Sequence, residues 1–299
     1  MATIASQSKG GYYPTPIHEL ELLCRQLKLN ESNLNVDEDQ IVNLIDPCCG
    51  EGEALQIISG FLNTKYTYGV ELEENRAAKA SSCLYHALHD GYENLRTEAR
   101  FSLLWLNPPY DERHGERLEV IFLKALTGKN NVLERNGLLL FCIPQYVLKP
   151  AAAVLSGRFS DIQVFRFTNQ NYPVFKQVIL IGRYGKSKDS KAIYKWLREL
   201  SDVDPNDLPT LEEIDDPIKV YPSSGSIAYF RAGRLKLEEM QRDFRESPLF
   251  PDVEQKLTPV SNKARMKNPM LPLKPTHTGI AIASGAVGGN MGTHRAHCS

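Results

Sequence analysis

The sequence predicts an α/β fold, with a mostly parallel sheet carrying helices on both faces and a small irregular α+β region at the C-terminal end. Three observations predict it. Short apolar runs rich in β-branched and aromatic residues end at Asp46, Glu71 and Asn107, which reads as buried parallel strands with polar residues at their C-terminal ends. Segments of helical periodicity separate these runs, and strand–helix alternation implies right-handed crossovers. The chain has 299 residues, 42% hydrophobic and 24% charged, an ordinary composition for a folded chain that can bury a sizeable core.

In chain order, Leu20, Leu22, Leu23 and Leu27 recur at helical spacing, so residues 19–29 read as a helix and the polar residues 30–40 as a loop. Residues 41–45 form an apolar strand ended by Asp46-Pro47. After the glycines, residues 54–62 read as a helix, 66–70 as a strand and the alanine-rich 73–89 as a helix. Residues 101–106 are the next strand, closed by Asn107-Pro108-Pro109-Tyr110. A helix over 118–126 follows, then strands over 137–143, 162–167 and 177–184. The charged, serine-containing stretch 185–190 and the acidic, proline-rich stretch 202–217 place a domain end near residue 190. This divides the chain into residues 1–190 and an accessory region, 191–299. Within that region 191–200 and 235–245 read as amphipathic helices, 247–275 as a basic loop-rich stretch, and the segment from Gly279 as the start of a glycine-rich strand pair. The polar tail beyond it leaves open whether the region is truncated.

Several function classes recede. No apolar run approaches the roughly 18 residues of a membrane span, and the first ten residues lack the basic start and apolar core of a signal peptide, so a cytoplasmic address is expected. The six cysteines, at 24, 48, 49, 83, 142 and 298, form no CxxC pair, so neither a disulfide framework nor a metal site is expected; His294, His297 and Cys298 lack a visible second shell. A net charge of −1 supplies no whole-protein attraction to nucleic acid, so a DNA-binding role needs a locally basic face. Lys256, Lys263, Arg265, Lys267 and Lys274, with Arg231 and Arg234 beside Tyr229 and Phe230, are the best local candidates; a solvated surface is the competing reading.

Three features carry chemistry. Asp46-Pro47-Cys48-Cys49-Gly50-Glu51-Gly52 sits where a strand turns into a helix, and Gly50 and Gly52 let the backbone approach a ligand closely, although such glycines also serve purely steric ends. Glu71 closes the next strand, where a carboxylate can accept ribose hydroxyls. That position alone leaves a nicotinamide enzyme open, but the loop is not GxGxxG. The third feature is Asn107-Pro108-Pro109-Tyr110, a tetrapeptide with about one chance in a thousand of arising in such a chain at average composition. An exocyclic amine on a base is a weak nucleophile because its lone pair is delocalised, so methylating it requires acceptors that hold its hydrogens. Asn107 offers a side-chain carbonyl, Pro108 a backbone carbonyl, the double proline stiffens the turn, and Tyr110 can stack on the base.

Residues 46–52, Glu71 and 107–110 resemble the cofactor loop, ribose acid and catalytic motif of the N6-adenine DNA methyltransferases that use S-adenosylmethionine (SAM), in the group whose cofactor motifs precede the catalytic motif. The resemblance covers about residues 10 to 184. It implies a Rossmann-like SAM-dependent methyltransferase sheet over 1–190, with a target-recognition role for 191–299. It also implies that Asn107, Pro108, Pro109 and Tyr110 are catalytic, and that Asp46, Pro47, Cys48, Gly50, Gly52, Glu71 and Asn107 line the cofactor site. Tyr13, Thr15 and Pro16 are similar to the family's N-terminal element over the methionine end of the cofactor; a helix cap is the alternative for them. Asp90 is placed at the cofactor's adenine amine, against a surface turn, and Phe175 against the target base beside Tyr110, with core packing as the other reading. DNA, and a restriction or helicase partner in restriction–modification or phage defence, are the implied partners. Methylation of an RNA base or of a protein glutamine, and a catalytically idle DNA-binding subunit, remain alternatives, since the same motif serves the first two.

Overall fold

A computed structural model describes residues 14–30 and 41–233, together with Lys274 and Thr276. The chain divides into two compact units, Met1–Leu235 and Lys236–Ser299. Tyr13, Arg234, the helix expected over 235–245, most of the basic stretch, the glycine-rich segment and the His294, His297 and Cys298 tail lie outside the described residues.

The first unit opens with helix α1 (Ile17–Gln26) and strand β1 (Leu27–Leu29), and continues with β2 (Leu44–Asp46), α2 (Glu53–Leu62), β3 (Thr67–Glu71), α3 (Glu74–Cys83) and β4 (His86–His89). A short strand, β5 (Leu95–Thr97), precedes β6 (Phe101–Leu106), the two-residue strands β7 (Glu112–Arg113) and β8 (Glu116–Arg117), α4 (Leu118–Leu126) and β9 (Leu133–Pro144). Then come α5 (Leu148–Arg158), β10 (Phe159–Arg166), the single turn α6 (Tyr172–Phe175), β11 (Gln177–Tyr184), α7 (Ser190–Leu200), β12 (Ile218–Val220) and β13 (Phe230–Ala232).

Seven strands make the main sheet, in the order β10-β11-β9-β6-β2-β3-β4. The pairs β6–β9, β2–β6, β2–β3 and β3–β4 are parallel, whereas β11 runs antiparallel to both β9 and β10. Side chains alternate between two cores because strand residues point to opposite faces. Ile45, Leu104, Leu106, Leu139 and Phe141 pack with α4 and α5 on one face. Leu44, Leu103, Trp105, Leu138, Leu140 and Cys142 pack with α1 and α2 on the other. Helix α2 buries Leu55, Ile58 and Leu62, at the spacing of one helical stripe.

Two expectations change. The helix expected through residue 89 ends at Cys83, and His86–His89 joins the sheet beside Tyr68–Glu71. The helix expected through residue 29 ends at Gln26, because Leu27–Leu29 pairs in parallel with Ile218–Val220. In both cases sheet pairing outweighs local helical periodicity. The unit of the sheet also takes in residues past 190: α7 lies on α5, β12 pairs with β1, and β13 pairs with β5.

Candidate active site

The candidate residues cluster at the C-terminal ends of the parallel strands, where open α/β sheets bind ligands. At the end of β2, Asp46 is 3% exposed, and its Oδ1 accepts the Cys48 N–H at 2.9 Å. Burial pushes the Asp46 carboxyl up to about 7, and the charge of Glu71 adds to that against the bond from Cys48. Gly50 and Gly52 have positive φ, 56° and 90°. Gly52 is the N-cap of α2, and a Cβ there would lie 2.9 Å from the Cys83 sulfur, so both conformation and space require glycine.

At the end of β3, Glu71 faces this loop. Its Oε2 accepts the Gly50 N–H at 2.9 Å, while its Oε1 accepts the Glu73 N–H at 2.9 Å and the Arg76 guanidinium at 2.7 Å. Arg76 is a partner that sequence reasoning missed; its only signal is an arginine one helical turn past a strand-ending acid. Asp90 directly follows β4, with its N–H bonded to the Glu71 carbonyl at 3.0 Å. Its Oδ1 accepts from Gly91 N at 2.7 Å and Asn94 Nδ2 at 2.8 Å, and its Oδ2 accepts from no described residue. Asp46, Glu71 and Asp90 thus close three neighbouring strands.

Asn107 to Tyr110 follow β6. Asn107 Nδ2 donates to Thr15 Oγ1 at 3.0 Å, and the Cys48 thiol lies 3.4 Å from the Asn107 carbonyl oxygen. Pro14, Thr15, Asp46, Cys48 and Asn107 line one small cavity of about 20 Å³, which brings the N-terminal element, the loop and the tetrapeptide together. Pro16 caps α1 next to it. Pro108 is buried, and its carbonyl accepts from no described residue. The Tyr110 hydroxyl donates to Asn107 Oδ1 and accepts from Gln177 Nε2. Burial pushes the Tyr110 hydroxyl well above its ordinary range, with Cys142 adding to the effect, so it keeps its proton.

Phe175 sits on α6, half-buried against Phe167 with ring centroids 6.1 Å apart. It lies two residues before Gln177, which ties this element to Tyr110. Glu19, fully buried on α1, was also missed. It accepts Thr168 N–H at 3.1 Å, Thr168 Oγ1 at 2.6 Å and Asn171 Nδ2 at 2.7 Å, clamping the Thr15 segment to the turn that precedes Phe175. Arg231 lies on β13 with its guanidinium over the Tyr229 ring, while the neighbouring Phe230 is buried against Tyr68, His86 and Phe101. Among the described residues there is no cluster of metal-ligating side chains and no helix long and apolar enough to cross a membrane.

A largely parallel sheet with one antiparallel strand beside its last parallel member, and with polar groups gathered at the strand ends, defines a Rossmann-like α/β protein of the methyltransferase class. The chain belongs to the uncharacterised methyltransferase family (DUF6094), which it matches over residues 1–224.

Comparison with curated proteins finds no match. Among solved structures, a Listeria monocytogenes protein provisionally described as a class I SAM-dependent methyltransferase is 13% identical. The alignment covers 66% of this chain and 64% of that one, with a TM-score of 0.44. The type I restriction-modification system methyltransferase subunit of Streptococcus thermophilus is 15% identical over 68% of this chain and 56% of that one, with a TM-score of 0.39. M. jannaschii TYW2, solved in complex with AdoMet, is 11% identical over 59% and 78%, with a TM-score of 0.40.

Proposed function

We propose that this chain is a SAM-dependent methyltransferase that acts on an exocyclic amine, with adenine N6 in DNA as its substrate. The observation that carries the reading is Asn107-Pro108-Pro109-Tyr110 at the end of β6, beside the Asp46–Gly52 loop and Thr15.

The residues present suit the cofactor. Glu71 Oε2 accepts one described donor, and a carboxylate oxygen has room for a second, so a ribose hydroxyl can be held there. Asp90 Oδ2 can take the N–H of an adenine amine. Gly50 and Gly52 allow the close backbone approach, and Pro47 and Cys48 complete the loop. Thr15 and Pro16 would close over the methionine end, the role also expected of Tyr13, which lies outside the described residues. When bound, SAM supplies an electrophilic methyl group on a sulfonium.

Asn107 Oδ1 and the Pro108 carbonyl each take one hydrogen of the amine, which turns the nitrogen lone pair out of conjugation and toward the methyl group. With the cofactor held there, these two acceptors would keep the nitrogen lone pair facing the methyl group it supplies, and the amine proton would pass to solvent. Orientation supplies much of the rate, so no strong base is required. Tyr110 and Phe175 flank the base. The region 191–299, including the basic stretch and Arg231, is assigned to target recognition and phosphate contact, and a restriction or helicase subunit is the expected partner.

The test combines the protein, labelled cofactor and DNA from a methylation-deficient source, followed by digestion and mass spectrometry for N6-methyldeoxyadenosine. Asn107→Ala is expected to lower turnover by about 100-fold or more while leaving cofactor affinity in place. Label in RNA or protein alone overturns the DNA assignment, and absence of cofactor binding overturns the enzyme.

A further inference from the structure

One large aromatic ring is held out to solvent at the sheet end that carries the tetrapeptide. Tyr146, 55% exposed, lies between the buried Gln145 and Val147 in the short turn that follows β9. Gln145 pins that turn: its Nε2 donates to the Leu200 and Val203 carbonyls at 3.0 Å and 2.9 Å, and its Oε1 accepts the Tyr172 hydroxyl at 2.7 Å. The Tyr146 carbonyl accepts the Ser201 hydroxyl at 3.3 Å. Fixed backbone therefore sets the exposure of the ring. Single exposed aromatics are ordinary on a protein surface, and this one differs in being braced on its ring face as well.

The brace is Arg117, whose guanidinium carbon lies 5.3 Å from the centroid of the Tyr146 ring. Arg117 Nε and Nη2 donate to the two carboxylate oxygens of Glu119 at 3.2 Å and 2.6 Å, and Glu119 is fully buried in the first turn of α4. A two-point bond of this kind fixes the plane of the guanidinium as well as its place. It also offsets the charge. The β7–β8 hairpin carries Arg117 there: Glu112, two residues past Tyr110, pairs with Arg117 across it, and His114 and Gly115 make its turn at φ 54° and 78°. β9, which carries Tyr146 at its end, is the parallel neighbour of β6, which carries the tetrapeptide at its end.

A base whose amine is to be methylated must leave its stack, and the base next to it then loses a stacking partner on that side. An aromatic plane beside the site can replace that partner, since every base has a π face. We propose that Tyr146, braced by Arg117, stacks on the nucleobase adjacent to the target base. The contact works by stacking and adds no phosphate clamp, because Glu119 already offsets Arg117. The proposal rests on the base-directed reading of Asn107 to Tyr110 given above.

The probe is single-stranded DNA about 12 nucleotides long, thymidine throughout except for one adenine with the fluorescent base 2-aminopurine beside it, on either side in separate strands. Binding to the wild-type protein is expected to quench the 2-aminopurine on one side. Tyr146→Ala restores the emission and weakens Kd about 5- to 100-fold, whereas Tyr146→Phe keeps both quenching and affinity. Cofactor Kd stays unchanged in both variants, which reports an intact fold. The slope of log Kd against log salt is the same in all three proteins, because no phosphate contact is removed. Arg117→Lys keeps the charge without the plane and loses part of the quenching.

Undiminished quenching in Tyr146→Ala overturns the proposal, and so does a loss of affinity that comes with a shallower salt slope. Full quenching in Arg117→Lys overturns the brace. The functional reading is decided separately by the search for N6-methyldeoxyadenosine: if quenching depends on Tyr146 and no methylated base forms, that reading falls and the stacking platform stands. If Tyr146→Ala methylates subsaturating DNA at the wild-type rate, the platform falls and the reading stands.

Discussion

The two halves of the site are held together by different means. On the cofactor side, backbone N–H groups of Cys48, Gly50 and Glu73 bind carboxylates two to 21 residues away along the chain. On the Asn107 side, the bonds join side chains up to 127 residues apart, and the turn after β6, β9, β11 and the N-terminal segment each contribute. A loop built on its own backbone keeps its form as long as its glycines and acids remain. A network of distant side chains keeps its form only while the whole sheet stays in register.

That contrast can be broken in three places. Glu19→Ala removes the acceptor of three bonds that tie the Thr15 segment to Thr168 and Asn171, and should lower unfolding free energy by about 3–5 kcal/mol in urea titrations. It should also speed exchange of the Asn107 amide while the cofactor loop stays intact. Gly52→Val forces a β-branched residue into φ 90° and against the Cys83 sulfur, at a cost of about 2–3 kcal/mol. Here the pattern inverts: calorimetric cofactor affinity should collapse while the Asn107 amide stays protected.

Asp46→Asn is read as a slope of stability against pH. The folded Asp46 carboxyl titrates near 7 against an unfolded value of 3.8, so the folded state binds the extra proton between them. Its contribution is full below about pH 4 and is lost as pH rises through 7, a swing on the order of a few kcal/mol. Urea unfolding at about pH 5 and pH 8 should show the wild type losing more stability than Asp46→Asn over that interval.

The same contrast explains what could be read from the sequence. Asp46 to Gly52, Glu71 and Asn107 to Tyr110 were legible because each is a short run fixed to the end of an apolar strand, and the strands over 101–106 and 177–184 stand as read. Asp90, surrounded by a segment that reads as helix, proves to follow β4, a strand that exists only because Tyr68–Glu71 offers an edge. Gln177, Cys142 and Glu19 gave no comparable signal. A glutamine opening an apolar strand, a cysteine within one and a glutamate on an amphipathic helix are common, and only the closed fold shows whom they meet. β12 was hidden for the same reason: Ile218-Lys219-Val220 becomes a strand through Leu27–Leu29.

The pairing of β1 with β12 has a consequence for the order of events during synthesis. Leu27 has left the ribosome long before Ile218 is made, so the edge of the first strand waits for nearly the whole sheet unit to emerge. At a translation rate of about 5–20 residues per second, that interval is on the order of ten seconds or more. The outer edge of β1 is therefore completed among the last events of folding. A nascent chain can form the Asp46–Gly52 loop well before its first strand has a partner.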